Sequence, residues 1–261
     1  MRRKGARLGQ HFLTGTWAAR ALASAAGISK NEPVLEIGPG KGALTRELLA
    51  EGGSIIAIEK DPALVAELHT IFETEIASHQ LVIIDGDVRD FDPRSSKLAA
   101  RSYIVAANIP YYITGEIIRL FLSAEIQPKT MALLIQKEVA ERILARDKKE
   151  SILSLSVKAY GAPKIAAKVS RGNFSPPPSV DSAILVIENI SRKFFDEINE
   201  ETFFKIVRAG FSSKRKKLAS NLSNLFEKTS VEHAFEACGI DSSARAEDLP
   251  LETWKKLVAK L

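Results

Sequence analysis

The chain has 261 residues, which is enough for one sizeable α/β domain with a small appendage. No apolar run approaches the roughly 20 residues that a membrane-spanning helix needs, and the basic N-terminus has no apolar segment behind it, so we expect neither a membrane segment nor a secretory signal. One cysteine, Cys238, excludes an internal disulfide, and four scattered histidines show no metal-ligand spacing. These features predict a cytoplasmic protein that works without a metal.

The positive charge is concentrated in two segments of the chain. Residues 1–31 hold six basic side chains and no acid, and residues 202–226 also hold six basic side chains and no acid. The whole chain has 37 Lys and Arg against 32 Asp and Glu, so removing these twelve leaves 25 basic residues and a net charge of −7. Two positive patches on an acidic body indicate a polyanionic partner, although two solvated basic surfaces would show the same pattern.

Short apolar runs alternate with helix-like segments through the first two thirds of the chain. The predicted strands are 33–38, 54–59, 81–87, 103–108 and 130–136. Their apolar stretches are continuous, which is typical of strands buried on both faces of a parallel sheet. The predicted helices between them are Ala43–Glu51, Pro62–Phe72 with Asp61 as its N-cap, and Thr114–Leu122. This alternation predicts a doubly wound α/β sheet.

The predicted secondary structure changes near Ile190, from strands alternating with helices to helices alone. Two more strands are predicted before that point, Lys164–Ser170 and Ser182–Glu188. The predicted helices after it are Glu197–Ala209, Ser213–Phe226, Val231–Cys238 and Leu251–Lys260. We therefore expect two domains, residues 1–190 and residues 191–261.

A glycine-rich turn, EIGPGKG at 36–42, joins the first predicted strand to a helix. Gly38 and Gly40 let the backbone turn tightly and let a ligand lie against main-chain atoms. Glu59 ends the next strand, where a ribose-binding acid lies in nucleotide sites, and its carboxylate can accept both ribose hydroxyls. Asp87 follows the third strand and can accept from an adenine amine. An empty turn and a nicotinamide site are alternatives, but G-x-G-x-G with two acids favours S-adenosylmethionine, which has no phosphate.

The motif Asn108-Ile109-Pro110-Tyr111 follows the fourth predicted strand. An exocyclic base amine is a poor nucleophile because its lone pair is delocalised into the ring. The Asn108 side-chain oxygen and the carbonyl of Ile109 or Pro110 can accept its two hydrogens, and Tyr111 offers a face on which the base stacks. An ordinary strand-to-loop turn is the alternative. The position of the 108–111 motif, after the glycine turn, Glu59 and Asp87 in the chain, favours a base-amine methyltransferase.

These motifs together resemble the small-subunit ribosomal RNA adenine dimethyltransferase family. The resemblance extends from Leu8 to about Leu225. It is carried by LGQHFL (8–13), EIGPGKGALT (36–45), IEKD (58–61), GDVRDF (86–91), NIPYYI (108–113), QKEVAERI (136–143), FSPPPSVDSAI (174–184) and FSSKRKKLASNL (211–222). It implies that His11 and Leu13 lie beside the cofactor with Gly38, Glu59, Asp87 and Asn108. It also implies that Phe174 stacks on the target adenine opposite Tyr111, the alternative being a core aromatic.

The resemblance implies a Rossmann-like methyltransferase fold with a mostly parallel seven-stranded sheet and a small all-helical C-terminal domain that contacts ribosomal RNA. Lys214, Arg215, Lys216 and Lys217 are the predicted RNA contacts. The implied activity is dimethylation of two adjacent adenines near the 3′ end of small-subunit rRNA, within the rRNA or an immature small subunit, by a monomer. A large-subunit rRNA adenine methyltransferase of the antibiotic-resistance type and a non-catalytic nucleic-acid-binding factor on this fold remain alternatives.

Overall fold

The computed structural model describes residues 11–96, 98 and 102–261. The basic side chains of residues 1–10 and the first three residues of the LGQHFL motif lie outside these described residues. The chain divides into two compact units. Unit 1 comprises Met1–Ala140 and Ala162–Ile190, and unit 2 comprises Glu141–Gly161 and Ser191–Leu261.

Unit 1 is built on a seven-stranded sheet. Its strands are β2 (Pro33–Ile37), β3 (Ser54–Glu59), β4 (Leu81–Asp85), β5 (Ile104–Asn108), β6 (Thr130–Gln136), β7 (Ala162–Val169) and β9 (Ser182–Glu188). Their order is β4-β3-β2-β5-β6-β9-β7, and only β9 runs antiparallel to its neighbours. A separate antiparallel pair joins β1 (Phe12–Leu13) to β8 (Phe174–Ser175). This arrangement confirms the predicted α/β class with a mostly parallel seven-stranded sheet.

The helices of unit 1 lie between the strands in sequence. They are α1 (Thr16–Ala26), α2 (Ala43–Ala50), α3 (Pro62–Ile71), α4 (Glu73–Ala77) and α5 (Thr114–Leu122), while α6 (Lys137–Leu144) contains the first boundary between the units. Asp61 accepts from Ala63 N at 2.9 Å and caps α3 as predicted. Sequence reasoning missed α1, whose buried face is mostly alanine and which packs on α2, β5 and β6.

Unit 2 is helical among its described residues. Its helices are α7 (Ile152–Tyr160), α8 (Glu200–Gly210), α9 (Leu218–Leu222), α10 (Lys228–Cys238) and α11 (Leu251–Val258). Their apolar faces share one core, in which Phe203 and Trp254 are completely buried. Nowhere in the part of the chain that the structure describes is a helix long and apolar enough to cross a membrane.

Two details of unit 2 differ from the sequence-based expectation. Residues 141–161 were expected within domain 1–190, but α7 belongs to unit 2 because its Leu155 and Ala159 are buried in the unit 2 core. The helix expected over 213–226 is only α9, at 218–222. The Asn221 side-chain amide donates to Gly210 O at 2.6 Å and to Ser213 O at 3.0 Å, which holds the chain between α8 and α9 in a turn.

Candidate active site

A cleft opens at the carboxyl edge of the parallel strands in unit 1. Its lining comes from the ends of β2, β3 and β5, from the turns that follow them and from β1. Parallel strands bring their carboxyl ends to one edge of the sheet, where doubly wound folds bind their ligands. The lining includes all seven residues predicted to bind the cofactor and two predicted to bind the base: His11, Leu13, Gly38, Gly40, Glu59, Asp87, Asn108, Pro110 and Tyr111.

Glu59 connects two of the turns that form the cleft. Its side chain is buried, and Oε2 accepts from Gly40 N at 3.1 Å while Oε1 accepts from Lys60 N and Asp61 N, both at 2.9 Å. A carboxylate has about four acceptor positions, so these three bonds leave one on Oε2. The carboxylate therefore has room for one direct hydrogen bond from a ribose hydroxyl, rather than the two expected from the sequence.

The glycine turn approaches β1 closely at Gly40. Gly40 has a φ of +59°, which residues with a side chain rarely adopt. A Cβ at Gly40 would lie 3.0 Å from the Phe12 ring. Gly38 N donates to Ile58 O at 2.9 Å and continues the pairing of β2 with β3 beyond the end of β2. At Gly38 and Gly40 the turn therefore presents main-chain atoms to the cleft, although Pro39 and Lys41 of the same turn also line it. Exposed main chain at these two positions suits a cofactor that lies against backbone atoms.

Glu36 lies at the end of β2, completely buried and outside the cleft lining. Neither of its carboxyl oxygens has a hydrogen-bond partner among the described residues. Burial is the main cause that raises the pKa of Glu36 to about 8, and the negative charge of nearby Glu59 acts in the same direction. Glu36 is therefore protonated in the folded protein at neutral pH.

Two cations cover the Asp87 carboxylate. Arg89 Nε donates to Oδ1 at 2.9 Å, and Lys60 Nζ donates to Oδ2 at 2.8 Å. The hydrogen bonds from the Arg89 side chain, with a smaller contribution from Lys60, hold the pKa of Asp87 well below its usual range. Asp87 is thus ionised and accepts hydrogen bonds only. Sequence reasoning did not identify Lys60 or Arg89 as site residues. Lys60 directly follows Glu59, and Arg89 lies two residues after Asp87.

The Asn108 side chain is oriented by a hydrogen bond to the main chain. Its Nδ2 donates to His11 O at 3.0 Å, and no described residue donates to its Oδ1. The Tyr111 hydroxyl shares a 2.8 Å hydrogen bond with Ser182 Oγ, and the Tyr111 ring lies 5.7 Å from the His11 ring with a 33° tilt. The NIPY motif therefore presents a free amide oxygen beside a fixed aromatic ring.

Phe174 is not part of the cleft lining. Its side chain is 4% exposed and belongs to the core that includes Val169 and Ile184. The reason is the pairing of β8 with β1, which places Phe174 opposite Leu13. In this structure Phe174 therefore lies where the core alternative expects it, and its stacking on the target adenine stays a prediction. The exposed aromatic on the cleft is Tyr112, at 71%, which sequence reasoning did not single out.

The predicted RNA contacts Lys214, Arg215, Lys216 and Lys217 lie in unit 2, in the turn that precedes α9. All four are exposed, and within the described part of the chain none forms an ion pair closer than 4.0 Å. The segment therefore presents four positive charges to solvent, of which Lys217 also acts electrostatically on Asp241.

Comparison with known proteins places the chain among RNA methyltransferases. Residues 1–261 match the model of a family described as ribosomal RNA adenine dimethylase. Ribosomal RNA small subunit methyltransferase A from Dehalococcoides mccartyi strain CBDB1 is 38% identical over 257 residues, covering 98% of this chain and 87% of the relative. The protein of the same name from Clostridium botulinum strain Langeland is 36% identical over 254 residues, covering 96% of this chain and 91% of the relative.

Two solved structures are also similar over nearly the whole chain. A dimethyladenosine transferase from Plasmodium falciparum has a TM-score of 0.80 and 27% identity, covering 95% of this chain and 96% of its own. The 23S rRNA methyltransferase ErmE has a TM-score of 0.76 and 25% identity, covering 96% of this chain and 99% of its own.

The sheet order and the cleft define a Rossmann-like, S-adenosylmethionine-dependent methyltransferase. The match to the family model over residues 1–261 and the identity of 36–38% to curated relatives narrow this class to one family. The chain belongs to the ribosomal RNA adenine dimethylase family.

Replacing Glu36 with Gln should change how stability depends on pH. Between the unfolded pKa near 4.5 and the folded pKa near 8, the folded wild type keeps a proton that the unfolded chain has lost. Wild-type stability conferred by this proton is complete below pH 4.5 and is lost as the pH rises to about 8. Relative to the wild type, the free energy of unfolding of Glu36→Gln should rise by up to about 1.4 kcal/mol per pH unit in this window.

Urea denaturation of both proteins between pH 5.5 and 7.5 measures this difference. A constant offset from an imperfect fit of glutamine does not affect the slope, so the slope is the readout. Parallel stability profiles for the two proteins would show that Glu36 is ionised in the folded state.

Proposed function

We propose that this enzyme methylates adenine amines of small-subunit rRNA, at two adjacent adenines near the 3′ end and to the dimethyl stage. The resemblance of its motifs implies these positions, and the curated relatives named small subunit methyltransferase A support the choice of subunit. The single observation that carries the chemistry is the orientation of Asn108. With Nδ2 bound to the His11 carbonyl, Oδ1 is the atom left to accept a hydrogen from a substrate amine.

The side chains and backbone of the NIPY motif prepare the amine for reaction. S-adenosylmethionine, when bound, supplies an electrophilic methyl group. Asn108 Oδ1 accepts one amine hydrogen, and a carbonyl of Ile109 or Pro110 accepts the other, which directs the nitrogen lone pair away from the ring. Pro110 O already accepts from Ile113 N at 3.2 Å but keeps a second lone pair. Because the proton leaves only after the nitrogen becomes cationic, positioning supplies most of the catalysis.

Tyr111 is the proposed stacking surface for the target adenine. Its hydroxyl is held by Ser182 and its ring lies beside His11, so the ring is ordered before the base arrives. A preordered aromatic ring loses little conformational freedom when a base stacks on it. Of the two aromatic residues expected to stack on the base, Tyr111 is the one that lines the cleft in the conformation described.

The residues that we propose to hold the cofactor fit its parts. Glu59 Oε2 accepts a ribose hydroxyl, Asp87 accepts from the adenine amine, and the backbone of Gly38 and Gly40 lies against the remainder. His11 and Leu13 close the side of the cleft formed by β1. The absence of side chains at Gly38 and Gly40 supports such close contact with the backbone.

We further propose that the helical unit contacts rRNA through Lys214, Arg215, Lys216 and Lys217, and that the enzyme acts as a cytoplasmic monomer on the rRNA or an immature small subunit. The exposure of these four charges supports this proposal. The similarity to ErmE keeps large-subunit rRNA as a second candidate substrate. The higher identity to small-subunit relatives favours the first candidate, and the oriented Asn108 argues against a non-catalytic factor.

Asn108→Ala should reduce single-turnover methylation by about 10²–10³-fold, because the lost acceptor acts mainly on the transition state. RNA affinity should be nearly unchanged, and cofactor affinity should fall modestly. Melting temperature, cofactor calorimetry and the single-turnover rate are measured on one preparation. Asn108→Asp is the matched control, because it keeps an oxygen but loses the donor to the His11 carbonyl. Near-normal turnover in well-folded Asn108→Ala would exclude the proposed mechanism.

Replacing Lys214, Arg215, Lys216 and Lys217 together with serine should weaken RNA binding across sequences. If all four contact phosphates, the slope of log affinity against log salt should fall by about 3, at roughly 0.7–0.9 per contact. Serine at Lys193, Lys228, Lys256 and Lys260, four exposed lysines of unit 2 outside this segment, is the charge-matched control. An unchanged slope, or equal losses in the two variants, would remove the segment from the RNA interface.

A further inference from the structure

The Asp87 carboxylate has no acceptor position left for a cofactor. Oδ1 accepts from Arg89 N at 3.0 Å and from Arg89 Nε at 2.9 Å. Oδ2 accepts from Arg89 Nη2 at 2.5 Å and from Lys60 Nζ at 2.8 Å. A carboxylate offers about four acceptor positions, and these four donors occupy them. An adenine amine that binds Asp87 must therefore displace one of them.

Of these donors, the Arg89 guanidinium is the one whose departure makes most room. It occupies one position on each oxygen, whereas Lys60 occupies one position on Oδ2 alone. The Asp87 side chain caps the short helix Val88–Asp90 by accepting from the Arg89 main-chain amide, and this hydrogen bond can stay in place while the Arg89 side chain rotates away. The Arg89 side chain is 47% exposed, while that of Asp87 is 15% exposed, so the arginine covers the acid from the solvent side.

We propose that Arg89 and the adenine amine of the cofactor compete for Asp87, and that the arginine displaced by the cofactor contacts an RNA phosphate. This inference rests on the proposed function, in which Asp87 accepts from the cofactor adenine and the substrate is RNA. Arg89 is then a positioning residue that links the two binding events.

The chemistry of the released side chain favours a phosphate as its new partner. A guanidinium presents its donors in a planar fork that matches phosphate oxygens two at a time. Arg89 lies on the cleft lining, on the same cleft as Asn108 and Tyr111. Asp90 and Glu116 act on Arg89 electrostatically but form no ion pair with it among the described residues, so the released guanidinium keeps donors for a phosphate. Cofactor binding should thus add one phosphate contact to the RNA interface.

The chain contains a matched control for Arg89. Asp92 and Arg94 repeat the same arrangement five residues later, with Arg94 N and Nε donating to Asp92 Oδ1 at 2.9 and 3.1 Å. Neither residue lines the cleft. Arg94 also pairs with Glu125 at 3.2 Å. Arg89→Met and Arg94→Met each remove one positive charge and an ion pair with an aspartate two residues earlier, but only the first removes them from the proposed cofactor site.

The test is the salt dependence of RNA binding with and without S-adenosylhomocysteine, which leaves the RNA unmethylated. The probe is an unmethylated small-subunit rRNA transcript. For the wild type and Arg94→Met, S-adenosylhomocysteine should steepen the log–log slope by about 0.7–0.9, the value of one phosphate contact. For Arg89→Met the slope should be the same with and without it. Calorimetry should also show that S-adenosylhomocysteine binds Arg89→Met about two- to tenfold more tightly than the wild type.

Equal slopes with and without S-adenosylhomocysteine in the wild type would overturn the inference, as would the same steepening in Arg89→Met. Weaker binding of S-adenosylhomocysteine to Arg89→Met would overturn the competition step. Methyl transfer by the wild type to the same RNA is measured in parallel. If methyl transfer is present and the slopes are equal, the inference about Arg89 fails alone. If neither cofactor binding nor methyl transfer is found, the proposed function fails with it.

Discussion

The site depends on one buried carboxylate, that of Glu59, which binds three main-chain amides. The amides of Lys60 and Asp61 belong to the turn after β3, and the amide of Gly40 belongs to the turn after β2. Buried N–H groups need hydrogen-bond partners, and the two side-chain oxygens of Glu59 provide them for these three amides. The two turns are therefore held at a fixed separation before any ligand is present, and the cleft lies between them and the segment after β5.

The acids at this edge of the sheet differ in protonation state because their surroundings differ. Glu36 is buried without a hydrogen-bond partner among the described residues and is neutral, whereas Asp87 lies beneath two exposed cations and is charged. Only Glu59 and Asp87 face the cleft. The cofactor half of the cleft thus presents acceptors, and the half formed by Asn108 and Tyr111 presents an oriented amide oxygen and an aromatic ring. This division matches a reaction between a cofactor and a base amine.

The sequence was sufficient to predict the strands and helices that have a strong local pattern. It was insufficient where contacts between distant parts of the chain determine the position of a residue. The parallel strands were predictable because their apolar runs are continuous, and the cleft followed because parallel strands end at one edge. Helix α1 was missed because its buried face is alanine, which gives weak periodicity. The burial of Phe174 was not predictable, because it depends on pairing with β1, more than 150 residues earlier in the chain. The hydrogen bonds from Arg89 to Asp87 could not be predicted, because they depend on side-chain geometry rather than on residue type.

The central claim is that the cleft methylates adenine amines of small-subunit rRNA. Its most direct test is incubation of the protein with isotopically labelled S-adenosylmethionine and undermethylated small ribosomal subunits, with naked small- and large-subunit rRNAs in parallel, followed by mass spectrometry of the methylated bases. The account predicts label on the exocyclic amines of two adjacent adenines near the 3′ end of small-subunit rRNA, present as dimethyladenine. Label confined to large-subunit rRNA, or found on another base or a ring nitrogen, would contradict it.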